Sequence, residues 1–340
     1  MKHIADPRRA LWCVARRPCV VLSTFVLVTA CDHVALPSQL VASGVTRPDT
    51  VARSPAADTV AATVDTAVAI SVIDSSVVDA DSGRVTALAA ELPREEVDTR
   101  YPVAGRVVRL AADADLQAAI DSASPGDELL LPRGATYVGN FYLPDKGPSN
   151  EWIVLRTDVA DAELRAEGTR MTPSRAREIG LASIVSPNAN SVIVTGYGAN
   201  HFRFVGVEIT SSERVDEINA LVRFGDNTDG QHDPATTAHH LVIDRSYLHG
   251  EPTVQLRRCV MLNSATSAVV DSWLADCHSN VSDSQAIIGW NGPGPYLIQN
   301  NHLEAGHEVV MFGGGGVTTP GVSPADVTIR GNHFTRPVTW

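Results

Sequence analysis

From about residue 200 onward, short apolar stretches alternate with polar positions and return at near-regular intervals. One unit recurs as Leu241–Leu248, Ser267–Leu274, Tyr296–Leu303 and Val327–Phe334, with His201–Ile209 as a looser copy. Aligned on the last apolar residue, the spacings after Leu248 are 26, 29 and 31. A second unit interleaves with it: Leu221–Gly225, Cys259–Asn263, Ile287–Asn291 and Val309–Gly313, at spacings of 38, 28 and 22. Period-two alternation places Val222/Phe224, Val260/Leu262, Ile288/Trp290 and Val310/Phe312 on one inward face. Repeats locked in phase at about one coil each predict an all-β solenoid, a parallel β-helix. Ser246, Ser272, Asn301 and Asn332 fall in register, so their side chains are expected to form a ladder that satisfies buried backbone groups.

Upstream, Asp113-Ala-Asp115 offers helix N-cap oxygens, Leu116-Gln-Ala-Ala-Ile120 is amphipathic, and Pro125-Gly126-Asp127 breaks the helix. An apolar Leu129-Leu-Leu131, then Arg133-Gly134 and Ala135-Thr-Tyr137, follow. This order resembles the opening of right-handed parallel β-helices of the pectate-lyase-like superfamily, which implies that hand for the solenoid. The resemblance covers roughly 103–340 and implies an N-terminal α-helical cap. Asp283–Pro295 through Met311–Gly314 is similar to a group of secreted bacterial β-helix-repeat proteins. A solenoid needs a closing cap, and Trp340 falls just after a rung begins, so a longer natural chain is expected.

The first thirty residues read as an export signal. Lys2, Arg8, Arg9, Arg16 and Arg17 precede an apolar core from Cys19 to Ala30, too short to span a bilayer. Val28-Thr29-Ala30-Cys31 resembles the bacterial lipobox, which implies lipidation at Cys31 and a membrane anchor through lipid alone. A plain secretory signal is the competing reading. Residues 32–100, rich in Ala, Val, Thr, Ser and Asp, bury too little apolar surface to offset ordering entropy and read as a disordered linker. The expected domains are therefore 1–31, 32–100 and 101–340. The protein is expected to be exported, either envelope-anchored or secreted, and monomeric.

Charge narrows the partners. The chain carries 27 Lys+Arg against 39 Asp+Glu, a formal net charge of −12. Without the signal, Lys146 is the one remaining lysine, which argues against a nucleic-acid partner. The superfamily implies an extracellular, acidic polysaccharide, cleaved by β-elimination. Such a lyase needs a base beside the uronate carboxylate and often Ca²⁺ held by Asp or Glu. A noncatalytic glycan-binding or structural envelope solenoid is the alternative.

Counting back from the second repeat gives an outward column of Asn219, Arg257, Gln285 and His307. Arg257, Arg258 and His307 are the catalytic candidates, Gln285 and Asn291 the substrate-binding ones, and Asp283 and Glu308 the Ca²⁺ ligands. Arg258 and Glu308 carry inward parity, so a buried ion pair is also open. Asn227-Thr-Asp-Gly230 resembles a polygalacturonase-type motif, but the Asp-Asp pair, Gly-His-Gly and Arg-Ile-Lys that accompany it in that family are absent. Asp229 alone is short of the two carboxylates glycoside hydrolysis needs. A loop turn, or a Ca²⁺ set with Asp226 and Asp233, fits that stretch better. His232, His239, His240, His249, His278 and His302 match no zinc spacing and read as structural. Cys259 and Cys277 stand in different repeat phases, and Cys259 reads as an unpaired core residue.

Overall fold

The computed structural model describes residues 91–340, except 165, 214, 227, 229, 230, 232, 318 and 319, together with the backbone of 75–78 and 85–88. The signal peptide, Cys31, most of the expected linker, Asp229 and His232 lie outside the described residues. Ser75–Val78 pairs antiparallel with Val85–Leu88.

Among the described residues of the solenoid, the strands form three large sheets paired only in parallel. The first holds eight strands, in spatial and chain order from Arg106–Arg109 to Val327–Arg330. The second holds seven, from Thr136–Val138 to His333–Thr335, and the third six, from Phe141–Leu143 to Val310–Phe312. The chain visits them in turn: His239–Asp244 in the first sheet, Tyr247–His249 in the second, Arg258–Asn263 in the third, then Ala265–Val270 back in the first. This is the topology of a three-sided parallel β-helix. Apolar side chains stack in the lumen, as Phe202, Leu241 and Tyr296 do on the first sheet. Each large side chain so buried contributes about 1.5–3 kcal/mol.

Register in the first two sheets agrees with the first repeat. Leu241, Ser267, Tyr296 and Val327 are successive partners, as are Leu248, Leu274, Leu303 and Phe334. Between these sheets the chain turns through one left-handed residue per coil: Gly206, Arg245, Asp271, Asn300 or Gly331. The ladder sits immediately after. Ser246 N–H donates to Ser272 Oγ (3.1 Å), Ser272 N–H to Asn301 Oδ1 (2.8 Å), and Asn301 N–H to Asn332 Oδ1 (2.8 Å). Side chains thus take up backbone donors that the turn removes from the sheets.

Helix α1, Leu116–Ser122, starts where Asp115 accepts from Ala118 N–H at 3.0 Å. Its Leu116 and Ile120 are buried against the lumen residues of the early coils. Cys259 and Cys277 form a disulfide with Cα atoms 5.6 Å apart, which corrects the expectation of an unpaired Cys259. Both sulfurs face the lumen core from different sheets, so a difference in repeat phase does not separate them.

The linker reading also needs a correction at its end. Residues 94–101 run along the outer face of the first sheet, with Val97 buried there and the Arg94, Asp98 and Arg100 side chains exposed. Arg94 pairs with Asp326 at 3.3 Å, and Val97 packs on Val242, Ala268, Val270 and Leu297. Arg203, 1% exposed, donates to the carbonyls of Thr99 (2.8 Å) and Arg100 (3.0 Å) and pairs with Asp244 at 2.7 Å. Tyr101 donates to Glu128 at 2.7 Å beneath the guanidinium groups of Arg156, Arg203 and Arg245. The apolar outer face of this sheet selects a covering segment, and buried arginines fix its backbone.

Candidate functional site

The third sheet departs from the expected register. Val260 lies opposite Ile287, and Ile287 opposite Val310. Ile288 therefore faces outward with Met261 and Met311, and Trp290 joins that outer cluster. The expectation that Ile288 and Trp290 point inward is wrong by one residue, and a slip of one reverses every side chain in the strand.

A second irregularity explains where the polar candidates go. Leu221 and Val222, Cys259 and Val260, and Ala286 and Ile287 are consecutive pairs in which both members reach the central core. Alternation fails at this corner. Arg258 and Gln285, which precede such pairs, consequently turn outward as register partners. The inward parity assigned to Arg258 and Glu308, with the buried ion pair it allowed, is corrected. Gln285 leaves the expected column of Arg257 and joins Arg258, while Ser284 takes its place and binds His307 Nδ1 through its hydroxyl at 3.1 Å.

These residues build a cavity of 240 Å³ on the outer face of the third sheet. Arg258, Asp283 and Gln285 line its polar side, Ile288, Trp290 and Met311 its apolar side, and Gly313–Gly315 complete it. Arg258 is only 9% exposed; its Nη1 donates to Asn219 Oδ1 at 2.6 Å, and its Nε has no partner. Gln285, 1% exposed, donates to Glu308 Oε2 at 2.7 Å, while its buried Oε1 has no partner. Burial, with the neighbouring charge of Arg257, lowers the Arg258 pKa, and Asp283 partly offsets this. The Gln285 hydrogen bond holds Glu308 below the usual carboxylate range.

Other candidates are separated from this group. Arg257 lines a different cleft, of 680 Å³, with Asn188, Asp216, Glu217 and Asn219. Asn219 bounds that cleft and also accepts from Arg258, so it links the two. A third cleft of 240 Å³ holds Tyr142, Tyr197, Arg223 and Asp226 on the same sheet, with Tyr197 donating to Asp226 at 2.6 Å. His307 and Glu308 are exposed. Asn291, expected to meet substrate, is fully buried; its Nδ2 donates to the Asp226 carbonyl at 3.1 Å, and its own carbonyl accepts from Gln231. That position braces the loop instead. Trp290, the cavity's aromatic wall, escaped the sequence reading because of the one-residue slip.

Among the described residues, the group of three or more His, Cys, Asp or Glu side chains placed to share a metal ion is His201, His239 and His240. Asp283 and Glu308 are not in it.

No protein-family model and no curated protein matches this chain. Among solved structures, an alginate lyase from Paenibacillus sp. str. FPU-7 matches at 13% identity and a TM-score of 0.34, over 68% of this chain and 96% of that chain. A match this loose carries no argument about the present chain.

Proposed function

We propose that the outer face of the third sheet binds an acidic polysaccharide, with Arg258 receiving a uronate carboxylate. The carrying observation is the pair of orphaned polar atoms, Arg258 Nε and Gln285 Oε1, in the cavity walled by Trp290. A desolvated guanidinium with an unused donor regains hydrogen bonding when a carboxylate arrives, and the planar fork suits it. Gln285 Oε1 is an acceptor for a sugar hydroxyl, and Trp290 offers an apolar face to the ring. Each of three clefts holds an arginine beside one or two carboxylates: Arg258 with Asp283, Arg223 with Asp226, and Arg257 with Asp216 and Glu217.

Elimination is the finer reading. In it Arg258 neutralises the carboxylate, a base removes the adjacent proton, the bond to the leaving sugar oxygen breaks, and a double bond forms. A guanidinium keeps its proton at neutral pH, which leaves His307 as the better base candidate over Arg257 or Arg258. Asp283 and Glu308 offer fewer oxygens than the roughly six to eight Ca²⁺ takes, and Glu308 already serves Gln285; no step is routed through the cation. Export fits the Cys259–Cys277 disulfide, since such bonds persist in oxidising compartments. Anchorage through Cys31 belongs to the same proposal.

Calorimetric titration with oligomers of galacturonate, of mannuronate–guluronate and of neutral glucose tests the binding. Uronate binding weakened at least tenfold by Arg258→Ala, and also by Trp290→Ala, is expected. Equal affinity for the neutral oligomer, or no change in Arg258→Ala, refutes the assignment. Ultraviolet absorbance of an unsaturated product, abolished in His307→Ala, separates cleavage from binding alone.

A further inference from the structure

At the corner where the chain passes from the third sheet into the first, three histidines meet. Asn200 pairs with His239 and Phe202 with Leu241, so His201 and His240 occupy the same corner of successive coils. Both have left-handed backbone, at φ of 55° and 54°. Their rings stack with centroids 4.3 Å apart, and His239 Nδ1 lies 2.7 Å from His240 Nδ1. Trp152 closes one side, edge-on to His201 at 5.2 Å.

The hydrogen bonds around the cluster fix which nitrogen is on offer. Asn200 Nδ2 donates to the carbonyls of Gly198 (2.9 Å) and Gly147 (3.3 Å), so its Oδ1 faces His201 as an acceptor. His201 Nδ1 therefore donates to Asn200 Oδ1 at 2.8 Å and leaves the Nε2 lone pair free. Orientation of a histidine by a neighbouring oxygen in this manner is typical of metal ligands. Burial holds all three rings below the ordinary histidine range, His201 at about 4, so they are neutral in neutral solution.

The geometry points to a binding site for one divalent ion of the zinc class, held by His201, His239 and His240. One nitrogen from each residue lies within 4.8 Å of the other two, while tetrahedral zinc at about 2.0–2.1 Å from each nitrogen sets them about 3.3 Å apart. His239 and His240 are half-buried. The ion takes the place of the proton shared between their Nδ1 atoms, that proton moves to Nε2 of the ring that carried it, and both rings stay neutral with a proton on Nε2. Three imidazoles leave a fourth position, near the exposed Asp145, whose charge acts on His239. Gly198 N–H donates to the Thr236 carbonyl at 2.7 Å, which holds the segment leading into His239 against the preceding coil.

Titration of the purified, metal-free protein with Zn²⁺, followed by a competing chromophoric chelator, is the test. One equivalent is expected to bind, raising the unfolding temperature, and Co²⁺ in its place is expected to show the visible absorbance of a tetrahedral nitrogen site. His239→Ala and His201→Gln each weaken binding at least tenfold, and Asn200→Ala weakens it roughly 10–100-fold through ligand orientation. Zn²⁺-dependent protection of these three histidines from diethyl pyrocarbonate, read by mass spectrometry on the unsubstituted protein, does not depend on any variant folding. Absence of Zn²⁺ binding, or protection confined to other histidines, overturns the site.

Discussion

Asn301→Ala tests the ladder that holds the coils in register. Asn301 is fully buried, and its side chain serves two neighbours at once. Oδ1 accepts from Ser272 N–H at 2.8 Å; Nδ2 donates to the Val269 carbonyl at 2.8 Å and to Asn332 Oδ1 at 3.1 Å. Alanine removes all three bonds and leaves Ser272 N–H buried without a partner. An orphaned buried group costs about 1–3 kcal/mol, and the Val269 carbonyl adds a smaller penalty because it has a second lone pair. The expected loss is about 3–4 kcal/mol. Ser272→Ala removes fewer bonds, an acceptor for Ser246 N–H and a donor to the Val270 carbonyl, and is expected to cost about half as much. Urea unfolding, followed by tryptophan fluorescence with the disulfide intact, gives both values from the shift in midpoint at unchanged slope. A loss under about 1 kcal/mol for Asn301→Ala would show that water replaces the side chain and that the ladder is not what sets the register.

Three further outcomes follow from particular contacts. Replacing both Cys259 and Cys277 by serine opens a link across 18 residues and is expected to cost about 3 kcal/mol, measured as the difference in urea midpoint from the oxidised protein. Gly225→Ala places a Cβ 1.6 Å from the Asn263 carbonyl oxygen at φ +80°, so it should exceed the roughly 1–3 kcal/mol of a strained backbone alone; a folded variant with unchanged midpoint would contradict that. Burial works against a charged His249, but Glu208 at 3.2 Å and the Gly250 carbonyl outweigh it and raise its pKa. The stability this pair adds is full below the ordinary histidine value and is lost as pH rises through the raised one. Glu208→Gln should therefore destabilise more at about pH 5.5 than at about pH 8.5, and the reverse order in urea unfolding would refute the pairing.

The first repeat was legible because its coils have nearly constant length and each carries the same turn. Leu248, Leu274, Leu303 and Phe334 stack as their spacing implies, and the polar residues that follow each left-handed turn form the expected ladder. Composition misjudged residues 94–101. Val97 read as solvated because local periodicity cannot register a partner surface more than a hundred residues away. The buried side chain of Arg203, which holds that segment, looks in sequence like any charged residue in a strand. The disulfide was hidden for a related reason: phase along the chain differs, but the lumen is narrow enough for two sheets to touch.

The candidate site turned on a smaller error with a larger effect. Alternation was carried through the corner between the second and third sheets, where Cys259 and Val260, or Ala286 and Ile287, both point inward. Each such pair inverts the parity of what precedes it. That inversion moves Arg258 from the lumen to the outer cavity, in register with Gln285, which was already expected on the outside, and the one-residue slip at Ile287 sends Trp290 out beside them. The same irregularity explains why the polar atoms there lack partners. A corner with two inward residues commits the chain's apolar side chains to the lumen and leaves the preceding long polar residue to lie along the sheet, bonded at one atom (Arg258 Nη1 to Asn219, Gln285 Nε2 to Glu308) while Arg258 Nε and Gln285 Oε1 stay buried without a partner. Arg258 and Gln285 are thus desolvated by the fold before any ligand arrives. Such preorganisation lowers the cost of binding a carboxylate and hydroxyl at this point, where an unpartnered donor and an unpartnered acceptor belong to residues that line one cavity.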